Sequence, residues 1–314
     1  DEVLYGKYAG TEVTVDDKSL YLGGNRLLNG NFDMGFLGWT SGTGEQIATP
    51  YFQVVKTGGI DGGSYLQCYG NGSTSVKTEA STLWVCDTLK KNTSYYVSAA
   101  GLNNNPNYQR ITTTAIKNLE LNQRLKLPAV SEWAKQGGSF TTMNDTLLYI
   151  AMRAQEGKAC LDNVMICELF DTKEEALADA LQWERKRIAF FKAYNTAYPQ
   201  LTQELEEFAA GNVTAFEVRE VISNALEALE VIPQIEQLKQ NANLIVSMKL
   251  PDYQNVSAAL ALAETAQKAN EYILAADRLD AAISTILQYT YNSTAVKSPT
   301  FASASDWKTK TGTY

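Results

Sequence analysis

The sequence carries 35 aspartates and glutamates and no histidine. That balance decides which chemistry is open to it. Without imidazole there is no Ser-His-Asp or Cys-His nucleophile, and the usual zinc ligands are gone. Carboxylates remain, and a facing pair could hydrolyse a glycoside. Glu174, Glu175, Glu206 and Glu207 fall on predicted helices, however, where a solvated face is the simpler reading. No carboxylate pair sits at strand ends in a cleft pattern. We therefore expect no catalysis, with a carboxylate-based glycoside hydrolase as the alternative. The four cysteines, Cys68, Cys86, Cys160 and Cys167, have no CxxC spacing and read as neither a metal site nor a redox motif. The glycine-rich loops lack a following Lys-Ser/Thr helix start, so no phosphate cradle is implied.

At 314 residues the chain is long for one domain and comfortable for two. With 45% hydrophobic residues it can bury a sizeable core. A formal charge of −8 disfavours nucleic acid and anionic lipid surfaces as partners. No stretch is long and apolar enough to span a bilayer. The sequence opens on Asp1 rather than Met, which reads as a processed or trimmed product and leaves the compartment open.

Two kinds of element must position the polar residues. Residues 1–24 read as an N-terminal arm or edge strands: Glu12–Val15 alternates, and Ser19–Leu22 ends at Gly23-Gly24. Short strands between turns then run through residues 25–170. They are predicted at Tyr51–Lys56, Ser64–Tyr69, Thr82–Thr88, Ser94–Leu102, Ile111–Ile116, Trp133–Thr142, Leu147–Met152 and Leu161–Cys167. Leu27-Leu28 reads as a strand stub. Asn29-Gly30 is a turn signal, because both residues tolerate positive φ.

At Asp171 the apolar period changes from two to 3.6. Asp171 or Thr172 can cap a helix whose first turn carries Glu174 and Glu175. Tyr198-Pro199 interrupts this run, and Gly211 stops the next helix. Thr214 with Glu217 makes a capping box. Pro233 is expected to kink or break the third helix, and Pro251-Asp252 opens the last long helical region. Short loops predict an antiparallel three- or four-helix bundle over residues 171–291. Residues 292–314 are a polar tail, or the start of a further β domain.

The stretch Asn29-Gly30-Asn31-Phe32-Asp33, followed by Gly38-Trp39, resembles the opening motif of the carbohydrate-binding-module superfamily, the galactose-binding-like jelly rolls. Ala159-Cys160-Leu161-Asp162-Asn163-Val164-Met165-Ile166 resembles the strand that closes that sandwich. Tyr65–Cys68, Leu89–Ala99 and Trp133 with Phe140 match strands between them. The likeness covers somewhat under half of the chain. Leu279–Ile283 is similar to helical modules strung between domains of surface proteins in glycan-degrading gut bacteria. The fold class implied is multidomain β + α: a jelly-roll β-sandwich followed by the helical bundle.

The resemblance also implies sites. A structural Ca²⁺ in the family sits where the opening motif meets the closing strand, which points to Asn31, Asp33 and Asp162 as oxygen donors. The plainer alternative is that Asp33 caps a turn and Asp162 bonds backbone amides. Family-like register turns Tyr95, Val97, Ala99, Leu83, Val85, Leu66 and Cys68 inward. Trp84, Tyr96 and Tyr69 then face outward, with Tyr108 and Gln109 in the Asn-rich loop, as a shallow glycan platform. Packing beneath the helices or the N-terminal arm is the competing reading for these aromatics, and a one-residue slip would reverse each strand. Cys160 and Cys167, an odd number of residues apart on one strand, are expected on opposite faces, with the thiols mostly free and buried.

Three functional readings compete. The first is a non-catalytic, extracytoplasmic carbohydrate-binding or adhesive protein, secreted or on a bacterial cell surface. In it the glycan lies on the jelly roll, the helices act as spacer, and other domains or surface proteins are neighbours. The second is a glycoside hydrolase component. The third is an architectural protein-interaction fragment without glycan binding.

Overall fold

The computed structural model describes residues 8–41, 52–69, 82–103, 110–115, 124–125, 130–142, 147–153 and 158–293. Among these residues twelve strands form two antiparallel sheets, and five helices follow. The strands are β1 (Glu12–Val15), β2 (Lys18–Asn25), β3 (Thr40–Ser41), β4 (Phe52–Val55), β5 (Tyr65–Tyr69) and β6 (Thr82–Thr88). They continue as β7 (Ser94–Asn103), β8 (Arg110–Ala115), β9 (Arg124–Leu125), β10 (Val130–Thr141), β11 (Leu147–Arg153) and β12 (Lys158–Phe170). The helices are α1 (Lys173–Tyr194), α2 (Pro199–Ala209), α3 (Ala215–Ser247), α4 (Tyr253–Thr265) and α5 (Ala269–Ser293).

The strand β12 is the axis of the seven-stranded sheet. Its residues Ala159–Leu169 are buried throughout, as an apolar strand covered on both faces must be. β7, itself paired with β10, lies along one edge. β5 pairs with the first part of the other edge and β2 with the last part. The second sheet runs β3-β6-β11-β8-β9.

One face of the seven-stranded sheet holds the main core, with Phe32, Trp39, Leu66, Cys68, Tyr95, Val97, Ala99, Phe140, Leu161, Val164 and Ile166. The inward registers expected for Tyr95, Val97, Ala99, Leu66 and Cys68 are therefore found. The other face carries a smaller cluster of Tyr8, Leu20, Leu22, Met165, Cys167 and Leu169.

Two strand readings need correction. Leu27-Leu28 forms no strand; β2 instead runs on through Gly23 and Gly24 to Asn25. These glycines are where α1 lands. A Cβ on Gly24 would lie 2.7 Å from Cβ of Trp183, and one on Gly23 would lie 2.5 Å from Oδ2 of Asp179. Next, β12 is bulged between Asp162 and Met165, with Asn163 at a φ of 50°. The inserted residue resets the alternation. Leu161 and Val164 both face the main core. Cys160 and Cys167 consequently share the opposite face rather than lying on two. Cys68, Cys160 and Cys167 are buried free thiols; the side chain of Cys86 lies outside the described residues.

A buried charge cluster fastens α1 to the sheet. The Arg26 guanidinium bonds Glu168 at 2.6 Å and Asp179 at 2.7 Å, and it stacks 4.5 Å from the Trp183 ring centre. Asp179 also accepts from the Gly24 N–H at 2.8 Å. The chain divides into two compact units, residues 1–222 and 223–314, so α1 and α2 belong with the sheets. The period switch at Asp171 and the division between units thus fall at different places. α1 is capped by Thr172, which accepts from the Glu175 N–H, and Thr214 and Glu217 form the expected box at the start of α3. α3 runs through Pro233 without a break. In the second unit Ile235, Ala242, Ile245, Val256, Leu260, Ala263, Leu279, Ile283 and Ile286 share one apolar core.

Candidate functional site

The opening turn is built around Asn29. Its side-chain amide donates to the carbonyls of Gly35 and Leu37 at 2.9 and 3.0 Å, and its oxygen accepts from the Met34 N–H at 3.0 Å. The Asn29 carbonyl takes the Trp39 indole N–H at 3.0 Å. Positive φ is needed not at Asn29 or Gly30 but at Phe32, where φ is 59°. Such a backbone costs about 1–3 kcal/mol in a non-glycine residue. It persists because Phe32 is fully buried, stacked on Trp39 at 5.1 Å, a burial worth about 1.5–3 kcal/mol. Val164 N–H donates to the Gly30 carbonyl at 2.9 Å, which brings the opening motif onto the bulge of β12. The two segments picked out in the sequence therefore meet.

Asp33 and Asp162 lie at this junction, both against the 56–64 loop. Asp162 accepts from the N–H groups of Ile60 at 2.9 Å and Asn163 at 2.6 Å. Burial nonetheless pushes its carboxyl up to about 8, with Asp61 and Asp33 adding like-charge repulsion. Asp33 accepts from the N–H and hydroxyl of Ser64 and faces Arg187, yet burial still raises it above the ordinary range. Asp61 accepts from the Asn163 side chain at 2.7 Å. A Cβ on Gly59 would press on Oδ2 of Asp162 and lie 2.9 Å from the carbonyls of both Gly63 and Ser64. Oxygen atoms from three residues thus converge on a glycine.

Carboxylate and carbonyl oxygen is the donor chemistry of a hard cation such as Ca²⁺, and Asp33, Asp162 and these carbonyls fit it. Asn31 is differently employed: its amide donates to Asp33 and its oxygen accepts from Arg187 at 3.2 Å. Among the described residues no three Asp, Glu, Cys or His side chains gather as a metal set.

On its other side the same loop holds an aromatic pair. The Trp133 indole N–H donates to the Gly58 carbonyl at 3.0 Å. Its ring meets Tyr65 edge-on at 5.5 Å. Leu66 faces the core, so its neighbour Tyr65 stands on the opposite face. β10 is irregular between Val130 and Ala134, and it is the contact with Tyr65 that puts the Trp133 ring there, each ring partly exposed. Neither was singled out as a ligand contact from sequence; the Trp133–Phe140 spacing signalled only a strand. Asp61 was missed as well, since one acid in a glycine-rich loop carries no pattern.

Of the aromatics expected on one platform, Trp84 and Tyr96 belong to strands of different sheets. Trp84 is on β6 in the five-stranded sheet, paired with Ala151 and Thr40, whereas Tyr96 is on β7 in the seven-stranded sheet. Tyr96 does face away from the main core, but it packs against the Tyr8–Leu22 cluster, with its hydroxyl over Gly137. Tyr69 ends β5; the side chains of Tyr69 and Trp84, and all of Tyr108 and Gln109, lie outside the described residues.

Three of the four helical acids named above have partners. Glu175 joins the α1 cap, Glu206 pairs with Lys192 at 3.0 Å, and Glu207 accepts from Gln203. A groove of about 810 Å³ beside β1 and α1 is lined by Leu177, Leu181, Val213 and Phe216. It lies apart from both clusters.

No protein-family model and no curated protein matches the chain. Solved structures similar to it include a family 16 carbohydrate-binding module, 18% identical over 44% of this chain and 96% of that one, with a TM-score of 0.31. The TmCBM61 module in complex with β-1,4-galactotriose is 14% identical over 45% and 97%, with a TM-score of 0.35. A xylan-binding CBM22-1 domain from Paenibacillus barcinonensis Xyn10C is 14% identical over 47% and 97%, at 0.33.

Proposed function

We propose that this protein is a non-catalytic glycan-binding protein whose polysaccharide ligand rests on Tyr65 and Trp133. The observation that carries the reading is the fixing of this pair. A ring held by a backbone hydrogen bond and a second ring loses little freedom when a sugar packs its C–H face against it. Asp61, exposed on the adjoining loop, supplies an acceptor for hydroxyls. The meeting of the opening motif with the closing strand supports the carbohydrate-binding-module reading on which the sequence resemblance rests.

The absence of catalysis is part of this proposal. Asp33 and Asp162, the two carboxylates of the junction, are engaged by Ser64, Ile60 and Asn163. Calcium at Asp33, Asp162 and the carbonyls of Gly63 and Ser64 would brace the loop that positions Trp133. An extracytoplasmic, secreted or surface-attached location accompanies the reading, with the unit of residues 223–314 as a spacer. A glycan array probed with the full chain, followed by a reducing-sugar assay on each glycan retained, tests it. Retention without release of reducing ends is the expected result. Release that disappears on substituting one Asp or Glu would replace the proposal with the hydrolase reading.

A further inference from the structure

Arg187 brings a cation from outside the strand region to the acidic junction. It lies on α1, is only 3% exposed, and reaches Asn31 Oδ1 at 3.2 Å and Asp33 Oδ2 at 4.0 Å. Asn31 in turn donates to the same Oδ2 of Asp33. The other oxygen, Oδ1, is the one turned to the loop, 3.5 Å from where a Cβ on Gly63 would stand. Asp33 is thus divided between a guanidinium on the helix side and the converging oxygens on the loop side. Two cations flank Asp33: Lys56, exposed, donates to its backbone carbonyl at 3.4 Å, while the buried Arg187 head faces its carboxylate. Calcium bound at the loop side would share Asp33 with Arg187, and two positive charges on one carboxylate oppose each other.

We infer that Arg187 is the resident counter-cation of this site, allowing the fold to form without calcium and lowering the site's affinity for it. The inference rests on the calcium reading given above. It does not rest on helix docking, because α1 is fastened earlier along the helix, by the Arg26–Asp179 pair about two turns and by Trp183 on Gly24 about one turn before Arg187.

The test compares the full-length protein with Arg187→Gln and Arg187→Lys. Calcium affinity is measured by titration calorimetry, and Tm is measured in chelator and in calcium. We expect Arg187→Gln to bind calcium several-fold more tightly and to show a larger rise in Tm on adding calcium. Arg187→Lys, which keeps the charge, should stay close to the wild type in both. Binding of equal strength with equal rises in Tm for wild type and Arg187→Gln would overturn the inference and leave the calcium reading standing. No calcium binding by any of the three would overturn both. If Arg187→Gln is unfolded in chelator, circular dichroism on adding calcium reads the same dependence. Refolding supports the inference, and failure to refold at saturating calcium overturns it.

Discussion

The indole N–H of Trp133 donates to the carbonyl of Gly58 at 3.0 Å. This bond ties an aromatic ring on β10 to a loop whose far side bonds Asp162. Two features with separate origins in the sequence, an acidic junction and an aromatic pair, therefore share one short glycine-rich segment. Anything that loosens that segment should disturb both.

Arg26 offers the clearest test of how α1 is held. Its side chain is 5% exposed and bonds two carboxylates that are 8% and 13% exposed. Removing one partner of a buried charge cluster leaves the others uncompensated, at a cost of about 3–5 kcal/mol. Arg26→Ala should lower stability to chemical denaturation by that order and speed amide exchange along α1. An unchanged denaturation midpoint would mean that the helix is held by packing alone.

Gly24→Ala makes the complementary test with no change of charge. The new Cβ would sit 2.7 Å from Cβ of Trp183, and neither atom has a rotamer by which to move away. Overpacking of this kind costs about 1–3 kcal/mol. We expect a fall in Tm together with a change in tryptophan emission as Trp183 is displaced. Wild-type values for both would contradict the close docking of α1.

Calcium should raise Tm, because a ligand that binds only the folded chain stabilises it, by about 2.7 kcal/mol at 100 times its Kd. Asp162→Asn should remove most of that rise, since one formal charge and one carboxylate oxygen leave the junction. A rise of the same size in Asp162→Asn would move calcium elsewhere. No rise in metal-loaded wild type over chelator-treated protein would leave Asp33 and Asp162 as turn-bonding groups alone.

Local signals were legible in the sequence and distant ones were not. Depending only on residues three positions away, the cap at Thr214 and, from the pair Asp171 or Thr172, the cap of α1 were read correctly. So were most strands, because alternation is a local pattern. Gly23 and Gly24 looked like a strand end, since the reason for them, Asp179 and Trp183, lies over 150 residues downstream. The Asn163 bulge reversed the expected facing of the cysteines, and no single-strand pattern announces a bulge. Of the two outcomes expected at Pro233, kink or break, the break does not occur: α3 continues, with Ile232 and Ile235 buried. The family-like motifs carry Asp33 and Asp162, and the bond from Val164 to Gly30 joins those two segments. The pairing of Tyr65 with Trp133 depends on the order β10-β7-β12-β5, which spacing along the chain does not encode.

The central claim is that a glycan rests on Tyr65 and Trp133. The most direct measurement titrates the full chain with an oligosaccharide retained on the array and repeats the titration with Trp133→Ala, Tyr65→Ala and Trp84→Ala. We predict weak binding, with Kd on the order of 0.1–1 mM, equivalent to roughly −4 to −5.5 kcal/mol. It should be lost in Trp133→Ala, reduced in Tyr65→Ala and preserved in Trp84→Ala, whose residue lies on the other sheet. Binding that survives unchanged in Trp133→Ala would contradict the account.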